Sequence, residues 1–178
     1  MIPFPPPPRP VPQMALALLS TRQQSELTGD ARQMLSMTPI QYDMSYPRSG
    51  TVRGGTIVIG SNPLRRPVST IVLHEGLHLW DQQKHLSDTL GTSEARRSMY
   101  SRYFQESPRR VPLSQITSGN YADARNRYSV EGLPTQEAFA TLGMNGPEGV
   151  PPNMLSLFDL FFTPQAIQQA RWAYSHGR

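Results

Sequence analysis

The chain contains no cysteine, which excludes disulfide scaffolds, iron–sulfur clusters and zinc sites built on thiolates. It is nearly without lysine: sixteen of its seventeen basic residues are arginine, and Lys84 is the exception. Long apolar runs are missing too. None approaches the roughly 18–20 residues that span a bilayer, so no membrane-spanning helix is expected. The net charge of +4 is modest. The doublets Arg65–Arg66, Arg96–Arg97 and Arg109–Arg110 come without interleaved aromatics or a nucleic-acid motif. They read as solvated faces, and no nucleic-acid partner is expected.

Proline, by contrast, is abundant, with 18 residues in a chain of 178. Seven of them fall between Met1 and Pro12, so the excess describes a terminal tail more than a domain. Residues 1–12 are expected to form an extended polyproline segment, similar in composition to the Pro-rich ligands of aromatic-lined grooves, and therefore a candidate for docking a partner. The short apolar stretch Met14 to Leu19 follows proline and is trailed by Ser20-Thr21-Arg22. It does not read as a conventional export signal; cytoplasmic residence and non-classical secretion both stay open. Residues 13–178 are expected to be a single monomeric domain.

Within that domain, Met14, Leu18, Leu27, Met34 and Leu35 predict two helical pieces broken at Gly29-Asp30, with Asp30 as cap of the second. Residues from Tyr42 to Gly55 read as loop or irregular strand. Thr56-Ile57-Val58-Ile59-Gly60 is the best strand. A helix follows from near Pro67 to about Leu86, with Ser69 as candidate cap. A further helix is expected from Ser93 to about Gln105. Another runs from about Thr135 to Leu142 and stops at Gly143 as a left-handed terminus. Leu155 to Phe162 forms an apolar cluster, and Thr163-Pro164 is a cap and first-turn pair for a last helix ending near Tyr174. Helix dominates and strand is scarce, so the expected class is α+β, mainly helical.

The segment that carries chemistry is Ile71-Val72-Leu73-His74-Glu75-Gly76-Leu77-His78-Leu79-Trp80-Asp81. It contains His-Glu-x-x-His. On a helix, residues four apart are neighbours, so His74 and His78 can offer two imidazole nitrogens to one Zn²⁺ ion. Glu75, turned about 100° from His74, can reach a water on that ion without ligating it. Zinc held by nitrogen and carboxylate ligands lowers the pKa of bound water to about 7. Glu75 then serves as general base and acid in peptide-bond hydrolysis. With four His and seven Glu in the chain, shuffled sequences would contain the pattern on the order of 0.003 times. The competing reading is a helix whose two histidines are merely buried and hydrogen-bonded, in a binding module with an absent or inert metal site.

A catalytic zinc needs a third protein ligand. The positions where a glycine and a third histidine would continue the motif hold Asp81 and Lys84, and His85 is out of register. Glu137 is the favoured third ligand, because it sits in the uncharged stretch Thr135-Gln136-Glu137-Ala138-Phe139-Ala140, where an unmatched carboxylate is costly. Glu94 lies beside Arg96 and Arg97 and reads as a surface acid. Asp81, Asp88 and Glu131 are further alternatives. Asp81, one turn beyond His78, also suits the role of orienting a ligand histidine. Gly76 inside the motif helix costs about 1 kcal/mol relative to Ala and implies either close packing or close backbone approach.

These residues resemble the gluzincin metallopeptidases, which pair His-Glu-x-x-His on one helix with a glutamate on a second. The long spacer and Tyr128-Ser129 ahead of Pro134 and Glu137-Ala138-Phe139-Ala140 are similar to the compact, anthrax-lethal-factor-like branch, over about residues 56–143. The resemblance implies a zincin-type fold with an active-site helix, a glutamate helix and a small sheet ending in the strand Thr56–Gly60, which would line the cleft as template for an extended peptide substrate. It also implies that Tyr128 donates a hydrogen bond to the oxyanion, with Tyr121 as the alternative. A weaker likeness is to small bacterial metallo-effectors injected into host cells, which the Pro-rich tail suits.

Overall fold

The computed structural model describes residues 10–84, 140–150 and 152–177. The expected α+β class holds: helices pack around a three-stranded sheet. The chain enters by pairing with its own later backbone. The Ile40 N–H donates to the Gln13 carbonyl and the Ala15 N–H to that of Thr38, both at 2.8 Å. A 3₁₀ turn, Ala15–Leu18, leads into helix α1, Thr21–Glu26. Ser20 and Gln23 form a reciprocal capping box there, satisfying donors the helix cannot use internally. Helix α2, Gly29–Ser36, is capped by Thr28 and not by Asp30, which lies inside the first turn. The Thr28 hydroxyl accepts from Ala31 N–H and donates to the Leu160 carbonyl at 2.6 Å. Thr28 therefore both starts the helix and ties it to the C-terminal region, a tie that its local sequence does not reveal.

Strands β1 (Ile40–Tyr42), β2 (Gly50–Arg53) and β3 (Thr56–Ile59) follow. Gly54 and Gly55, with φ of 55° and 78°, make the two-residue turn between β2 and β3, where positive φ at both positions suits the strand twist. The sheet order is β1-β3-β2, parallel on one side of β3 and antiparallel on the other. This corrects the expectation of a sheet ending in Thr56–Gly60. The best sequence strand is the central one, with both of its edges already paired, so it cannot accept an added substrate strand. Its Val-Ile-rich run reflects burial on two sides. To reach β2 from β1 the chain crosses the end of β3, and Asp43 N–H donates to the Ile59 carbonyl at 2.9 Å on the way. A Cβ at Gly60 would collide with the carbonyl oxygens of Tyr46 and Arg48 in that crossing.

Helix α3, Val68–Lys84, lies against the sheet. The Pro67 carbonyl accepts from Ile71 N–H at 3.2 Å, so the helix opens at Val68 and Ser69 falls inside its first turn instead of capping it. Ile71, Val72, Leu73, Leu77, Leu79 and Trp80 are all buried. Gly76 meets α2: a Cβ there would lie 2.9 Å from Leu35 Cδ2. Close packing is thus the reason for the glycine.

Trp80 meets Phe161 edge to face at 5.6 Å, and Phe161 in turn meets Phe162. Full burial of each such ring contributes about 1.5–3 kcal/mol. The two phenylalanines follow the 3₁₀ segment Pro152–Phe158, Phe161 in the turn after it and Phe162 in an isolated bridge with Leu27. Helix α4, Pro164–Ser175, starts as expected, with the Thr163 hydroxyl accepting from Ala166 N–H. Gly143 is not a left-handed terminus. It lies at the end of the helical residues 140–143, outside the positive-φ set, and a Cβ on it would come within 2.6 Å of both Leu77 Cδ1 and Phe158 Cε1. No described helix is long and apolar enough to cross a membrane.

Candidate metal centre on helix α3

A pitch of 3.6 residues puts Ile71, Glu75 and His78 on one stripe of α3, with His74 and Asp81 beside it. The stripe faces away from Gly76 and its contact on α2. The two histidines converge: His74 Nε2 and His78 Nε2 are 3.2 Å apart, with ring centroids at 4.8 Å and planes at 77°. Two nitrogens that share one tetrahedral zinc at about 2.0–2.1 Å each lie about 3.3 Å from one another. The pair therefore has the spacing of two ligands of one such ion. The same separation admits an N–H···N bond between complementary tautomers, so metal-free protein can keep the pair poised.

Burial sharpens the site. His74 is 9% exposed, Glu75 6% and Asp81 2%, while His78 is half-buried. Carboxylates withdrawn from water to that degree are costly unless matched, and each of the four side chains has an interaction partner within the fold.

Strand β2 reaches this stripe. Gly50 is its first residue, and an ideal Cβ there would lie 3.0 Å from Glu75 Oε1 and 2.6 Å from Ile71 Cγ2. Sequence reading had no signal for that contact beyond a glycine at a strand start. A cavity of about 490 Å³ lies elsewhere, lined by Asp30, Met34, Thr38, Gly55, Leu79 and Trp80, on the far side of α3 from the histidines. Among the described residues no third His, Asp or Glu joins His74 and His78 in a group able to hold an ion. Asp81 is thus not placed with them as a third ligand. Glu137, Tyr128, Tyr121, Glu94, Glu131 and Asp88 lie outside the described residues.

Neither protein-family models, nor curated proteins, nor solved structures give a match. The functional reading therefore stands on the chemistry of α3 itself.

Proposed function

We propose that the protein is a zinc-dependent peptidase that holds one ion through His74, His78 and Glu137. The observation carrying this reading is the 3.2 Å convergence of the two imidazole nitrogens beside the buried carboxylate of Glu75. When bound, zinc supplies a Lewis acid and makes water acidic enough to ionise near neutral pH. The chain's own residues do the rest. His74 and His78 stay neutral and present Nε2, and Asp81 fixes the orientation of the histidine stripe. Glu75 takes the proton of the attacking water and delivers it to the leaving amine. Tyr128 donates to the carbonyl oxygen as charge develops on it, a step that contributes about 2.7–4 kcal/mol where such a donor has been removed. A peptide or protein is the substrate.

Metal analysis combined with Glu75→Gln tests the reading. The expected result is one equivalent of zinc in both proteins and turnover lower by about 10²- to 10⁴-fold in the variant. Undiminished hydrolysis by Glu75→Gln would sink the mechanism. Purified protein without a first-row metal, whose Tm ignores chelators, would instead favour a metal-free binding module. Glu137→Ala should lose the ion; tight stoichiometric zinc in that variant would move the third ligand elsewhere.

A further inference from the structure

We infer that Gly50 is a positioning residue for Glu75, and that Asn62 holds it in that role. The inference rests on the proposed use of Glu75 as general base and adds to it the part of the fold that aims the carboxylate. Gly50 does not need to be glycine for its backbone, because it lies outside the positive-φ set that includes Gly54 and Gly55. It needs to be glycine for space. The position a Cβ would take lies 3.0 Å from Glu75 Oε1 and 3.1 Å from Glu75 Cγ, close enough that the Glu75 side chain would have to shift by a few tenths of an ångström to admit it. The carboxylate thus rests in the gap left by the missing side chain, flush with the start of β2. A general base works only within about 2.6–3.2 Å of the proton it takes, so this gap sets where that proton can be.

The gap is held from both sides. Gly50 pairs with Ile59 in the ladder, and the preceding Ser49 carbonyl accepts from Gly60 N–H at 3.0 Å. The Ser49 hydroxyl donates to Asn62 Oδ1 at 3.0 Å. That same oxygen accepts from Arg66 N–H at 3.0 Å, and the Asn62 amide donates back to the Arg66 carbonyl at 2.8 Å. One side chain therefore ties the residue before Gly50 to the residue before Pro67, whose carbonyl opens α3. Asn62 does this at φ 49°, a left-handed conformation that asparagine tolerates better than most residues. Strand start and helix start are fixed relative to one another, and Glu75 lies between them.

The rival explanation is plain packing, since a Cβ at Gly50 would also press on Ile71 Cγ2 at 2.6 Å. Four zinc-loaded full-length variants separate the two: Gly50→Ala, Gly50→Ala with Ile71→Ala, Asn62→Gly and Glu75→Gln. Each is assayed on a quenched fluorogenic peptide chosen from a randomised pool by the unmodified protein. In parallel, ¹³C NMR follows the Glu75 carboxyl resonance, assigned by its disappearance in Glu75→Gln. Gly50→Ala should keep its zinc and its KM within about twofold while kcat falls about ten- to hundredfold, and the Glu75 resonance should move. Relieving Ile71 should restore neither. Asn62→Gly, which keeps the backbone conformation and removes the ties, should shift both readouts in the same direction by less, and it carries the test should Gly50→Ala fold poorly. An unmoved Glu75 resonance in Gly50→Ala and Asn62→Gly, or recovery of kcat and resonance in the double variant, overturns the inference. If the unmodified protein cleaves nothing in the pool, the peptidase reading fails and the resonance alone decides the positioning.

Discussion

The two sides of α3 are packed with equal closeness and to opposite ends. On one side Gly76 lets Leu35 of α2 approach, and Leu77 meets Gly143; everything accommodated there is apolar. On the other side Gly50 makes the room, and what fills it is the Ile71 methyl together with the Glu75 carboxylate, with His74, His78 and Asp81 along the same stripe. The same device, a glycine at the point of contact, serves core density in one place and the aim of a reactive group in the other. Stability should therefore be concentrated on the first side and chemistry on the second, and substitutions can separate them.

Leu77→Ala gives the largest expected effect on stability. Leu77 is fully buried, wedged against Gly143 and close to Phe158, so truncation should cost about 2–5 kcal/mol through lost transfer energy and the cavity left behind. Urea unfolding of the metal-free protein measures it. A loss below about 1 kcal/mol would mean that this side of α3 is not where the fold is held.

How far the sequence already contained this contrast depends on the range of the interactions involved. The histidine pair was legible because a four-residue helical spacing is local, and the α4 start at Thr163-Pro164 because a cap and its first turn are local too. β3 was legible as a strand but not as the central one, since sheet order depends on where β1 and β2 land. Gly143 looked like a terminus and is a packing contact. The cap of α2 is Thr28, two residues before Asp30; both are capping types, and Thr28 has the bond to Leu160 in addition to its local one to Ala31. Gly50 was invisible, because its partners Ile71 and Glu75 are more than twenty positions away. Nothing local distinguishes a glycine that makes room from one that merely bends.

On the chemical side, Asp81→Asn should do the reverse of Leu77→Ala. The amide is isosteric, so the metal-free Tm should change by no more than a few degrees, while zinc affinity falls about 10- to 100-fold as the orientation of the histidines loosens. Competition with a chromogenic chelator reads the affinity. An unchanged affinity with a collapsed Tm would reassign Asp81 to the structural side of the helix. Gly76→Ala sits between the two cases. It gains about 1 kcal/mol of helix propensity but must displace Leu35, and overpacking a buried contact costs about 1–3 kcal/mol. A net loss of about 1 kcal/mol is expected, with zinc binding untouched. A net gain would show that α2 can yield.

The smallest effect belongs to an acid on neither side of α3. The Ser45 hydroxyl hydrogen-bonds the Asp43 carboxylate and holds it below the ordinary value of 3.8, helped by the Ser45 N–H and by Arg53. Arg53 reaches it at 3.4 Å while lying over the Tyr46 ring. A carboxylate whose folded value is lowered adds stability that is complete above the unfolded value and lost as pH falls through the folded one. Asp43→Asn should therefore lower Tm slightly near neutral pH, and the difference should shrink as pH falls below the ordinary value of 3.8 and vanish once it has passed the lowered folded one. Added salt should weaken the Arg53 part at neutral pH, since both partners are solvent-accessible. A Tm difference that persists undiminished in acid would assign the contribution of Asp43 to the shape of the turn crossing β3 and not to its charge.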